Sequence, residues 1–206
     1  GEGFSKRKGS LSITSLREQG YESIAVALIA ILTGTSQPVA PHESLEVLAE
    51  TFDVSMVSRN SARFDPAELD AFNARIVHQL SYDDVKARLS DAGIEDAEAL
   101  WNAVHENLAK VGEIAQWNEL VKGPVSPVIA DEDREFIDTA REKLPQEPWD
   151  QETWGAWTNE LKQETGRKGK QLFMPLRQAL TGQSHGPELK TLLPLLGRTA
   201  CLDRLS

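Results

Sequence analysis

A single cysteine, Cys201, is all the sequence offers for thiol chemistry. That excludes an internal disulfide framework and a cysteine-built zinc site. It suits a reducing compartment, so a cytoplasmic protein is the expectation. Long apolar runs are missing too. The stretch "IAVALIAILTG" is apolar but too short to span a bilayer, and it reads as a buried helix. No secretory pattern of charged, apolar and small segments opens the chain. Aromatic residues make up only 6% of it, so ring stacking rests on few positions, five of them Trp. No segment alternates convincingly with period two, which leaves few strands or none. Positive charge is in deficit. The 22 Lys and Arg against 32 Asp and Glu leave a formal net charge of −10. Non-specific nucleic-acid binding needs a broad positive field and is disfavoured. A shaped RNA site with local cations is not. Two such clusters exist, Lys6-Arg7-Lys8 and "GRKGK" at 166–170.

What is present is helical signal from end to end. "YESIAVALIAILTG" is apolar on every side and stops at Gly34, a good residue to follow a helix. "PHESLEVLAETF" is amphipathic, with Leu45, Leu48 and Phe52 expected on one buried stripe. "FDPAELDAFNARIVHQL" opens with Asp65 as N-cap, Pro66 at the first helical position and Glu68 at the third, a capping box. Ser81 caps "SYDDVKARLSDAG". Further helices are predicted in "DAEALWNAVHENLAKV", "EIAQWNELVKG", "DREFIDTAREKLP", "DQETWGAWTNELKQETG", "QLFMPLRQALTG" and "PELKTLLPLLG". Pro175 should start or kink its helix. Weak points fall near residues 80–93 and in the proline-containing "KGPVSPVIADED". The expectation is an all-α protein of two or three packed units, divided as 1–80, 81–125 and 126–206.

Chemistry is concentrated in "SKRKG" near the start. A Ser-Lys-Arg loop before a helix can wrap a polyphosphate. Lys brings a compact ammonium, Ser and backbone N–H groups bring donors, and Gly allows close backbone approach. A solvated basic turn is the other reading of the same five residues.

The wider stretch "GFSKRKGSLSITSLREQGY" resembles the signature loop of class I aminoacyl-tRNA synthetases, in the form it takes in bacterial glutamyl-tRNA synthetases. Gly9, Leu11, Ser12, Ile13, Gly20 and Tyr21 fill the places that follow the loop there. "FDPAELDAFNARIVHQL" is similar to the helix that closes that family's stem-contact region. "LFMPLRQALTGQSHGPELKTLLPLLGR" looks like its anticodon-binding end. Three matches in family order cover nearly the whole chain. One position departs: the family signature usually opens with a further Lys, and here Gly3 stands there.

The resemblance implies a helical stem-contact domain over 1–80, then two anticodon-binding subdomains over 81–125 and 126–206. It implies a parent glutamate–tRNA ligase that uses ATP and Mg2+ to join glutamate to tRNA(Glu), with tRNA(Gln) as a second candidate. Lys6 becomes the catalytic cation, and Ser5 and Arg7 complete its ATP-binding loop. Arg177 matches the family's anticodon-contacting Arg, and Gly186, Pro187 and Leu189 match its anticodon-contacting turn. Family members often carry Thr at that turn, so a hydroxyl contact is lost at Gly186. Lys110 is the placement for a third anticodon contact, where Lys in place of Arg loses bidentate geometry. The chain opens on Gly rather than Met, and His42, His78, His105 and His185 form no His-x-Gly-His motif. The expectation is therefore a monomeric part of a longer protein, inactive by itself, binding no metal or cofactor alone.

Other residues carry two readings. Arg167, Lys168 and Lys170 fit either an RNA backbone or a helix end, where cations favour the dipole. Trp101, Trp117, Trp149, Trp154 and Trp157 have the helical spacing of core residues, with base stacking as the alternative. Acidic pairs such as Asp83-Asp84 and the run Asp131–Asp133 sit where helices start, as caps. His185 fits a turn or an RNA contact, and Cys201 fits inert packing. A non-enzymatic helical scaffold or protein-interaction module also suits the acidic, amphipathic composition, but does not account for the motif order. If Lys6 follows charge on the phosphates, Lys6→Ala in the full-length parent slows ATP–pyrophosphate exchange by ~10²-fold and spares tRNA affinity. Normal exchange would remove Lys6 from the mechanism.

Overall fold

Side-chain oxygens of Ser12, Asp65, Ser81 and Asp150 each open an α-helix. The computed structural model describes residues 12–34, 45–57 and 65–206, and among these there are twelve α-helices and no strand. Ser12 accepts from the Ser15 N–H at 3.0 Å and starts α1 (Ile13–Glu18). The Asp65 carboxylate takes the Ala67 N–H at 2.9 Å and starts α4 (Pro66–Val77), with Pro66 where no N–H is needed. Ser81 and Asp84 bond each other reciprocally ahead of α5 (Tyr82–Asp91). Asp150 and Thr153 form a full capping box on α9 (Gln151–Thr165).

Two compact units result. One comprises Gly1–Asp91 together with Leu108–Glu113; the other comprises Ala92–Asn107 and Ile114–Ser206. In the first, α2 (Ser23–Gly34) packs on α4 and α1, and Ala25, Leu28, Ile29, Leu69 and Ile76 form its core. Ile24, Val26, Ala27 and Ile31 pack partly buried against this core, so most of the apolar surface of α2 is covered. The expected stripe on α3 (Leu45–Thr51) is not formed. Leu48 is in the core, but Leu45 is 43% and Phe52 44% exposed. Leu45 is the first helical residue and Phe52 follows the last, so neither lies within a helical turn that could aim it inward. The returning segment Leu108–Glu113 is held by polar groups of α4. Asn73, fully buried, accepts from the Glu22 N–H at 2.7 Å and donates to the Ala109 carbonyl at 2.6 Å. His78 Nε2 lies 3.1 Å from the Leu108 carbonyl, which can only accept.

The second unit is built from α6 (Glu98–Val104), α7 (Ile114–Lys122), α8 (Arg134–Glu142), α9, α10 (Lys170–Thr181), α11 (Leu189–Leu196) and α12 (Arg198–Arg204). The apolar α11 packs against α6, α7 and α9, while α10 packs against α8, α9 and α12. Trp101, Trp117 and Trp157 are core residues, as their spacing predicts. Pro175 does not start a helix: α10 runs through it from Lys170. A proline there leaves the Gln171 carbonyl without its helical partner. Arg167 Nη1 donates to that carbonyl at 3.3 Å.

The last helix, α12, was not foreseen, and it closes the unit. Arg204 is only 4% exposed. Its Nη1 donates to the Leu180 carbonyl at 2.9 Å, and its Nη2 donates to the carbonyls of Leu120 at 2.6 Å and Gly123 at 3.1 Å. Leu120 and Leu180 lie in the last turns of α7 and α10, where carbonyls have no helical partner. A cation is also favoured there by the helix dipole. Cys201, one turn earlier, is buried, and desolvation pushes its thiol up to about 12. It is packing, not a nucleophile. Removing the guanidinium in Arg204→Met leaves buried carbonyls unpaired, at ~1–3 kcal/mol for such a group. The urea midpoint should fall accordingly. A midpoint equal to that of the unchanged protein would show that these carbonyls do not depend on Arg204.

Candidate nucleic-acid interface

The candidate site lies where α10 ends and α11 begins. Helix α10 carries Arg177 on its third turn and stops at Gly182, whose φ of +70° only glycine adopts without strain. The Thr181 hydroxyl donates to the Arg177 carbonyl at 2.7 Å and accepts from the Gln183 N–H at 3.1 Å, which turns the chain outward. The segment then returns through His185, Gly186 and Pro187 to α11.

Arg177 ties the two helices together. Its Nη2 donates to the Pro187 carbonyl at 2.8 Å. Its Nη1 is buried and has no partner. Burial also draws the guanidinium below its ordinary pKa. An unsatisfied buried donor is costly and calls for an explanation, because native proteins rarely keep one. Gly186 is held from the other side. Its φ is +136°, and a Cβ there would stand 2.5 Å from Cη2 of the buried Trp117 ring. That ring is packed and has nowhere to move. No side chain fits at this turn.

Four of the predicted residues are thus brought together. Arg177 and Pro187 are bonded, Gly186 adjoins them, and Leu189 begins α11. Leu189 is only 4% exposed, so its side chain serves the core and fixes where the turn ends. Lys110 is in the first unit. Its Nζ lies 4.0 Å from the centroid of the Tyr21 ring, a cation–π contact. The Tyr21 hydroxyl donates to Asp70. Ser5, Lys6 and Arg7 fall outside the described residues.

Two aromatic residues stand beside Arg177. A groove of about 280 Å³ is lined by Trp154, Phe173, Arg177, Glu188, Leu189 and Lys190. The rings of Trp154 and Phe173 have centroids 6.2 Å apart and planes inclined by 34°. At the rim, Lys190 Nζ and Glu188 pair at 2.6 Å. Phe173 precedes Arg177 by four residues, a spacing that puts both on one helix face and that was legible beforehand. Trp154 carried no such signal, because its spacing to Trp157 reads as core.

Arg167 has a structural task rather than an exposed one. It pairs with Asp133, donates to the Glu132 carbonyl at 3.2 Å and lies over the Phe136 ring at 4.5 Å. Among the described residues no group of His, Cys, Asp or Glu could hold a metal ion. Asp84 caps α5, and Asp131 pairs with Arg134 at 3.1 Å where α8 begins. In Gly186→Ala, backbone strain of ~1–3 kcal/mol adds to the collision with Trp117. Stability and the near-ultraviolet signal of the tryptophans should both drop. An unchanged melting curve and spectrum would show that the turn tolerates a Cβ.

Residues 118–206 match the family described as "Anticodon binding domain". Over 208 aligned positions the chain is 52% identical to glutamate–tRNA ligase 2 of Methylorubrum populi, covering 100% of this chain and 46% of that relative. It is 51% identical over 201 positions to glutamate–tRNA ligase 2 of Brucella melitensis, covering 96% of this chain and 44% of the relative. Its fold matches the crystal structure of a glutamate tRNA ligase from Elizabethkingia meningosepticum in complex with its amino acid, with a TM-score of 0.75 at 20% identity. That likeness covers 98% of this chain and 43% of the other. The chain spans just under half the length of the curated relatives it matches.

Proposed function

The chain belongs with the glutamate–tRNA ligases as an anticodon-binding part, and from that premise we propose that it reads tRNA(Glu) for a ligase that attaches glutamate to it. The observation that carries this reading is Arg177, with one N–H fixed on Pro187 and another buried beside the turn without an acceptor. Anticodon bases are unstacked and offer their edges, so a protein reads them by stacking and edge hydrogen bonds. A guanidinium suits both, being planar and rich in donors. Pinning it on the Pro187 carbonyl orients it before the RNA arrives, which lowers the ordering cost of binding.

The division of tasks we propose follows residues 1–80 for the tRNA corner, with 81–125 and 126–206 for the anticodon. Gly186 offers backbone rather than a side chain, and the buried Pro187 holds Arg177 through its carbonyl. Lys110 is a candidate for a separate contact, on the first unit. Ser5, Lys6 and Arg7 would meet the phosphates of ATP, and ATP with Mg2+ would activate the glutamate carboxylate in the whole enzyme. No described helix is long and apolar enough to cross a membrane.

With a net charge of −10, affinity cannot come from a general field, so it should be set by the loop's sequence. Titration with tRNA(Glu), followed by Trp fluorescence, should show preference over a copy with a changed anticodon. Arg177→Ala should lose roughly 1–3 kcal/mol of that discrimination, the range for one good base contact. An unchanged preference would remove Arg177 from the reading.

A further inference from the structure

Helix α1 is too short to hold itself in place. It has six residues, of which only Leu16 is buried, and a helix of that length is not stable alone. Its position is decided where it ends. There Gly20, Tyr21 and Glu22 are each met by a group from farther along the chain. Gly20 has a φ of +81°, and a Cβ on it would stand 3.9 Å from both Cβ and Cδ of Lys110, so the Lys110 stem runs along its bare face. The ammonium of the same Lys110 lies 4.0 Å over the Tyr21 ring. On its other side the Tyr21 hydroxyl donates to Asp70. Burial and that carboxylate push the hydroxyl up to about 12, so it remains a donor. The Glu22 N–H is taken by Asn73, which also holds the Ala109 carbonyl, next to Lys110. Among the described residues no carboxylate pairs with Lys110, and the ring is its partner.

We propose that Lys110 is a positioning residue for the ATP-phosphate loop, fixing through Gly20 and Tyr21 the helix that follows Ser5, Lys6 and Arg7 in the chain; this rests on the ligase reading above. A cation that follows charge into a transition state is effective only from a fixed base. Helix α1 is that base, and its far end is clamped by the Lys110 side chain. A long aliphatic stem with a charged tip suits both halves of the contact, the stem on Gly20 and the tip on the ring. A cation kept for RNA would extend away from its own chain. This one folds back on Gly20 and Tyr21.

The test uses the full-length parent with saturating tRNA(Glu) and reads ATP–pyrophosphate exchange. Lys110→Gln keeps a stem over Gly20 and removes the charge. It should lower the kcat of exchange about 10-fold, with KM for ATP and affinity for tRNA(Glu) unchanged. Lys110→Arg, whose guanidinium also stacks on a ring, should recover most of that loss. In a Lys6→Ala background Lys110→Gln should cost nothing further, because both act through one loop. A merely structural role would multiply the two losses. Normal exchange in Lys110→Gln overturns the positioning role, and so do multiplied losses. Normal exchange with weakened tRNA(Glu) binding would make Lys110 an RNA contact instead. In each of these cases Lys6→Ala still slows exchange, and the ligase reading stands. If the unchanged parent shows no exchange, or Lys6→Ala exchanges normally, the reading of the loop falls and the positioning role falls with it.

Discussion

Arg204 is the point on which the second unit turns. Its guanidinium gathers carbonyls from the ends of α7 and α10, two helices that share no run of sequence. Helix ends are the places where a bundle is most exposed to water, because their last carbonyls have no partner along the helix. A buried cation in that position satisfies them at once and prevents fraying. The consequence for the site is direct. Helix α7 carries Trp117, which shapes the turn at Gly186, and α10 carries Arg177, which holds Pro187. Both reach the turn from helices that Arg204 has already locked together.

The two arginines illustrate what burial does with the same group. Arg204 has three acceptors and so becomes a rigid structural element. Arg177 has one acceptor and a buried N–H left over. The imbalance is a small free-energy debt carried at the place where a ligand would discharge it. The fold thus holds one chemical group in two states, fully bonded at Arg204 and partly unbonded at Arg177.

An acidic chain that reads RNA, as proposed, has few cations to do it with. Several cations that look available in the sequence are occupied in the fold. Arg167 is bound to Asp133 and to the carbonyl that Pro175 leaves open, and Lys110 lies on the Tyr21 ring. What the proposed reading would draw on is local: aromatic surface, one guanidinium and the backbone of a tight turn. Such a site gains little from long-range attraction and much from shape, which favours discrimination over general affinity.

Much of this architecture was legible in the sequence, because its signals are local. Asp65-Pro66, Ser81-Asp84 and Asp150-Thr153 mark helix starts within three residues, and Gly182 marks an end within one. The motifs around Arg177 and Gly186 mark that stretch as a candidate site, and in the fold Arg177 bonds Pro187 there. Three things depended on partners far along the chain and so left no periodic trace. The return of Leu108–Glu113 is set by Asn73 and His78. The closing role of α12 is set by carbonyls more than twenty residues away from Arg204. The meeting of Trp154 with Phe173 is set by how α9 packs on α10. Caps and periodicity are properties of a few consecutive residues and are written into sequence. Which buried polar group finds which carbonyl is decided only when the helices pack.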